Sequence, residues 1–346
     1  MTEHTELIKS QRIEGKERQG PKISIEIFYV RHETREDIES LTRLFNKADI
    51  YIPEAFRWTP QVLQGFQDVS KGIKRPKEIL SRFEEPSEWK LALLEMIYKS
   101  QKPIIFIDVP MGHEIAKQVL SSQGLPEYRG DFRSFIEFMK VYFKEHAESQ
   151  NARQNFMLAT LPIKIEEVLA NNPRLREEDK VRVLLSLGKA HTHMTESLEE
   201  DGYKIARVLG AEPTFTLLEE ATRRRMSGKE VDNLLAAQAS IETLFLGIFG
   251  EELEEITQKI SKISAFARLV ASRFDFAEIE SIWQKWYATK RLIIGGERPY
   301  WRIRSFIEER LKAKGLMVPE SEQELDNLLE ISRAPWARTK QHLGQT

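Results

Sequence analysis

Residues Pro103–Val109 read PIIFIDV, an apolar run with one charge and no alternation. A strand of that kind belongs in a parallel sheet covered by helices on both faces, where neither side meets water. The neighbouring segments fit the same plan. Lys22–Val30 sets Ile23, Ile25, Ile27 and Tyr29 in period two, and Ala48–Ile52 forms a second short strand. Val181–Leu187 (VRVLLSL) is a fourth and Tyr203–Leu209 a fifth candidate. Helical patterns separate them. Thr34 opens one, with Asp37 three residues on as a capping-box variant and Ile38, Leu41, Leu44 and Phe45 as its buried stripe. Thr59-Pro60 places an N-cap before a proline at the first helical position, and Ser87 caps a helix carrying Leu91, Leu94 and Ile97. Two long helical patterns cover 131–150 and 151–171, and Pro162 is expected to kink or break the second.

After Gly210 the strand signals stop. Helical periodicity runs over Thr214–Arg225, Lys229–Gly250, Glu251–Arg273, Phe276–Tyr287, Tyr300–Lys314 and Ser321–Ile331. The expected organisation is a mobile tail over 1–20, an α/β domain over 21–210 with a mainly parallel sheet flanked by helices, and an all-α region over 211–346.

Composition removes several chemistries. The chain has no cysteine, so disulfides, thiolate nucleophiles, zinc fingers and iron–sulfur clusters are excluded. Lys+Arg 52 against Asp+Glu 54 leaves a net charge of -2, so no whole-protein field gathers nucleic acid or anionic lipid. The interleaved Trp283, Trp286, Tyr287, Lys290 and Arg291 could stack bases, but a helix–helix seam with snorkelling cations is the expectation. The N-terminus lacks the apolar stretch of a secretory signal, and Val231–Phe249 contains Asp232, Asn233, Gln238 and Glu242, so it reads as a buried helix. A cytoplasmic location without a membrane partner is expected.

Open parallel sheets bind ligands beyond the carboxyl ends of their strands. Four of the seven histidines follow strand ends closely: His32, His113, His191 and His193. Glu54 and Arg57 follow the second strand, and Asp108 ends the third. His191 and His193 form an H-x-H pair, which chelates one metal from an extended backbone and diverges in a tight turn. His113 reads as a helix-start residue, Asp108 as a cap or a site acid, and Gly188 as a place for positive φ or close backbone approach. Arg153 and Asn155 sit beside an otherwise apolar helical face; the arginine is suited to holding an anionic substrate group or orienting a catalytic Glu, or else forms a surface salt bridge.

In this order the segments resemble the TraB/PrgY/TIKI superfamily, to which erythromycin esterase and the haem-binding ChaN are distantly related. Tyr29-Val30-Arg31-His32 sits where the family has its first G-x-x-H, with Tyr29 in place of the glycine. Ala48–Arg57 is similar to the segment carrying the family's Glu, and Ile105–Asp108 to a strand ending in Asp. Ala152–Met157 resembles the Arg-Asn helix, with Gln154 between Arg153 and Asn155. Gly188-Lys189-Ala190-His191 matches the second G-x-x-H, and Glu199–Tyr203 resembles the sequel. The resemblance spans about residues 22–210.

The resemblance implies an erythromycin esterase/ChaN-like fold and hydrolysis of an ester or peptide bond. In one version His32, Glu54, His191 and His193 supply ligands to a divalent metal (Mn, Co or Zn) that acidifies a bound water. In the other, His32 or His191 takes the proton from water, with Glu54 fixing the tautomer. Arg57 or Arg153 then faces the oxyanion. The expected partner is a small-molecule or peptide substrate. The alternative is a catalytically idle member that binds a ligand or a protein. The helical region is available to cover the cleft, form a homodimer or recruit a partner.

Overall fold

The computed structural model describes residues 21–30, 35–83, 86–122, 130–188, 191, 193–209, 215–257, 259–290 and 300–330. The tail 1–20, Thr34, His4, His32 and His342 lie outside the described residues.

Four strands form one all-parallel sheet: β1 (Lys22–Val30), β2 (Ile50–Pro53), β3 (Lys180–Gly188) and β4 (Lys204–Leu209), in the order β2-β3-β1-β4. Alternation along β1 sends Ile25, Ile27 and Tyr29 into one core and Phe28 and Val30 into another. Helices α1 (Arg35–Lys47), α2 (Pro60–Ser70), α3 (Pro76–Leu80) and α4 (Glu88–Ile97) cover the second face, chiefly through Leu41, Phe45, Phe66, Val69, Ile79, Leu94 and Ile97. Thr59 and Ser87 cap α2 and α4 as expected, accepting from the N–H groups of Val62 and Lys90.

Pro103–Val109 is buried on both sides, yet it is not a regular strand. It runs parallel to β2 through isolated bridges at Tyr51–Ile104 and Trp58–Pro110. The reason is proline. Tyr51 donates to the Pro103 carbonyl and accepts from Ile105, so the next N–H on that edge belongs to Pro53, which has none to give. The ladder resumes only when Arg57 donates to Val109.

After α5 (Glu114–Ser121), the two helices expected over 131–171 are one, α6 (Phe132–Asn171), about 60 Å long at 1.5 Å per residue. Pro162 lies inside it without ending it. Leu161 and Ile165, on either side, are locked in the sheet core, and their burial offsets the lost hydrogen bond. The second half of α6 shares the first sheet face with α8 (Met194–Glu200), and the short α7 (Pro173–Glu177) links α6 to β3.

The first half of α6, from Phe132 to Phe143, packs elsewhere, in a core built with α9 (Leu217–Met226), α10 (Asn233–Ile256), α11 (Ile260–Ser272), α12 (Phe276–Lys290), α13 (Tyr300–Ala313) and a helix over 322–330. The helical core thus draws on residues well before 211. The break expected at Gly250 is absent, because buried Phe249 and Leu253 carry α10 on to Ile256. By length and composition α10 could cross a membrane, but it buries Ala236, Glu242, Phe245 and Phe249 within this core. Trp283 stacks on Tyr287 and Phe135, so this part of the aromatic cluster is a helix–helix seam.

The path of the chain positions the crevice. From β1 it passes the place of β3 to reach β2, and from β3 it passes β1 to reach β4. The two connections run on opposite faces of the sheet from β1 and β3, whose ends lie side by side at Val30 and Gly188.

Candidate functional site

Glu54 follows β2 and prolongs its pairing, its N–H donating to Ser186 at 2.8 Å. Its side chain then turns across the end of β3, where Oε2 accepts the Gly188 N–H. A Cβ at position 188 would stand 2.9 Å from that oxygen. Gly188 is therefore needed for close approach; it is not among the glycines of positive φ, so that expected use is not found.

Arg153 reaches over from α6. Its Nε and Nη2 donate to the two carboxylate oxygens of Asp108 at 2.9 and 2.5 Å, and Nη2 also donates to Glu54 Oε1 at 2.6 Å. The guanidinium lies over the Phe56 ring, 4.6 Å from its centroid. Arg153 is 7% and Asp108 1% exposed, so this bidentate pair is out of water, and only its neighbours offset the desolvation. Burial works against the Arg153 charge, but Glu54 and Asp108 outweigh it and hold its pKa above the usual value. Asp108 also accepts the Val109 N–H, while its carbonyl accepts the Trp58 indole at 2.7 Å.

His191 brings Nε2 to 3.3 Å from Glu54 Oε1, with the ring only 1% exposed. Among the described residues its buried Nδ1 has no hydrogen-bond partner. A carboxylate at Nε2 holds the ring proton there and leaves Nδ1 with a lone pair. Tyr29, the residue in the first-motif glycine position, closes the other side. Its hydroxyl lies 2.8 Å from Thr195 Oγ1 and donates weakly to the His191 carbonyl at 3.5 Å. Burial raises the Tyr29 pKa, although the Thr195 hydrogen bond opposes it.

The structure thus brings together Glu54, Asp108, Arg153 and His191, which the sequence marked, with Phe56, Tyr29 and Thr195. Arg57, on a left-handed backbone (φ 58), ties its N–H to Val109. His32 lies outside the described residues. His193 does not join His191. It stands at the N-cap of α8 in helical conformation, and its Nε2 lies 3.1 Å from Ser227 Oγ on α9. Two residues apart in a turn, the imidazoles diverge. His113 caps α5, with Nδ1 accepting from Ile115. Asp108, which the sequence left open as a cap or a site acid, is both: it accepts the Val109 N–H and pairs with Arg153. Thr195 and Ser227 left no signal in the sequence.

Among the described residues no three His, Asp or Glu side chains are grouped to hold a metal. Glu54 offers both oxygens to N–H donors, and His193 is turned to Ser227. The described donors do not fit a divalent ion beyond the single nitrogen of His191.

Neither a family model, nor a curated protein, nor a solved structure matches this chain.

Proposed function

We propose that the chain is a hydrolase of ester or peptide bonds, distantly related to the TraB/TIKI and erythromycin esterase group, with His191 as its base. The observation that carries this reading is the His191–Glu54 contact at 3.3 Å, with Nδ1 unpartnered among the described residues. In the proposed reaction Nδ1 takes a proton from a water as its oxygen attacks the substrate carbonyl. Glu54 steadies the imidazolium through Nε2–H. The tetrahedral intermediate then expels the alkoxide or amine, which receives the proton from Nδ1. Arg153 is a positioning residue in this scheme, since two carboxylates already compensate its charge. The resemblance gives the oxyanion to Arg57, the arginine that follows the family's Glu. The metal-assisted version would need His32 beside Glu54 and His191.

The second reading, a binding protein without turnover, is favoured by the burial of His191 and Arg153. In that case the network locks the strand ends together and does no chemistry. A panel of p-nitrophenyl esters and fluorogenic peptides separates the two, run in EDTA and with Mn, Co or Zn. The hydrolase reading expects turnover in EDTA that falls by about 10²–10⁴-fold in His191→Ala, the usual size of a general-base contribution. Absence of turnover by the unaltered protein in every condition, or turnover indifferent to His191→Ala, contradicts it.

A further inference from the structure

Between the end of α10 and the turn that joins α13 to the helix over 322–330 lies an open groove of about 480 Å³. Its apolar lining includes Leu311, Leu316, Met317 and Val318. Leu311 and Leu316 belong to the helical core. Met317 is 71% exposed, more than any other large apolar side chain among the described residues. The volume is that of a site for a small ligand or a few residues of chain.

The charged lining is acidic. Glu252, Glu255, Glu308 and Glu320 stand against Arg304 and Lys312. Arg304 is already engaged: Nε donates to Glu308 at 2.7 Å, and Nη1 and Nη2 donate to Glu252, the second at 2.8 Å. That leaves Lys312 as the other cation of the lining for Glu255 and Glu320. A complementary occupant carries an apolar anchor with cations on both sides and no acid.

One stretch of this chain has that pattern and starts near the groove. The last described helix ends at residue 330, and 16 residues follow, ISRAPWARTKQHLGQT. They hold Arg333, Arg338 and Lys340 and no Asp or Glu, with Trp336 between the two arginines. The helix over 322–330 is about 13 Å long, and six extended residues span about 20 Å. Trp336 can therefore reach back to the beginning of that helix, where the groove lies. The segment 1–20 fits less well: it sets four acids against four cations and joins the chain at β1, in the sheet half.

We infer that residues 333–340 dock in this groove, with Trp336 against Leu316 and Met317 and the three cations among Glu255, Glu308 and Glu320. The assignment uses neither His191 nor Glu54, so it stands apart from the hydrolase reading.

The chain has no cysteine, so introduced thiols report without background. In the full chain, Ala334→Cys, Ala337→Cys or Thr339→Cys is paired in turn with Met317→Cys in the groove or with Asn327→Cys on the last helix. Positions 317 and 327 are both exposed, so the substitutions leave the fold intact. The effective concentration of each thiol pair is read against a glutathione redox buffer on non-reducing gels. A free tail favours position 327, the shorter loop, by about threefold. A docked tail is expected to favour position 317 instead, by about 10-fold or more for the best of the three tail cysteines. Glu255→Lys with Glu320→Lys, both at exposed positions, or salt at about 1 M, is expected to lower that preference by about 10-fold. Preference for position 327, bonds formed between copies of the chain, or a preference indifferent to both charge reversal and salt would overturn the assignment.

Discussion

Gly188 is the residue on which the site's geometry turns most sharply. With no side chain it lets Glu54 lie against its N–H; a methyl carbon there would stand 2.9 Å from Oε2. Gly188→Ala is expected to push Glu54 aside, remove one charge-assisted hydrogen bond and cost about 1.5–3 kcal/mol. It should also lower turnover by uncoupling Glu54 from His191. A denaturant melt together with the esterase assay checks both, and unchanged stability would show that the carboxylate has room to spare. Much of this neighbourhood was legible in the sequence. Glu54 and His191 each follow a strand end, and Arg153 is a cation beside an apolar helical face. What could not be read was pairing at a distance. Asp108 and Arg153 are 45 positions apart, and nothing local distinguishes a capping Asp from one bound to an arginine. His193 escaped for a different reason: backbone conformation decides whether the two histidines converge, and His193 stands in helical conformation at the start of α8.

At the level of elements, prolines account for most of the departures from expectation. Pro53 interrupts pairing with a segment whose composition suits a strand, whereas Pro162 fails to interrupt a helix whose flanks are fixed in the core. Local propensity loses to tertiary burial in the second case, and to a missing N–H in the first. Element existence was otherwise readable from period alone, as β1 and β3 show. The junction of α9 and α10 carries a titratable device. Glu242, buried in α10, accepts the N–H groups of Leu217 and Leu218 at the start of α9. Burial pushes its carboxyl up to about 7, against those two hydrogen bonds. The unfolded chain releases this proton near 4.3. Between the two values the folded state holds more protons, so this contribution to stability is full at low pH and lost as pH rises through 7. Glu242→Gln cannot ionise and keeps a carbonyl for Leu217. Relative to the unaltered protein it is expected to gain up to about 3 kcal/mol between pH 5 and pH 8. Parallel melting curves for the two proteins across that range would contradict this.

Across the whole molecule, α6 is the beam that joins the helical core to the core on one face of the sheet. Phe132, Ile136, Met139 and Phe143 belong to the helical core, while Met157, Leu161 and Ile165 belong to the sheet. A boundary read from composition falls near residue 210, because strand signals end there, but a shared helix leaves no compositional trace. A chain ended at residue 210 would expose those four apolar side chains of α6 together, a patch that monomeric proteins rarely carry. It is expected to be insoluble, or to melt without the cooperative transition of the full chain. A soluble 1–210 fragment with an unchanged melt, followed by circular dichroism, would mean that the sheet half stands alone.

The central claim is that Glu54 keeps the proton of His191 on Nε2 and leaves Nδ1 as a base. Nitrogen-15 NMR of histidine-labelled protein, with the His191 signal identified by its loss in His191→Gln, reads this directly. A ring protonated at Nε2 with an unprotonated Nδ1 is expected; a ring carrying its proton on Nδ1 would overturn the role given to Glu54.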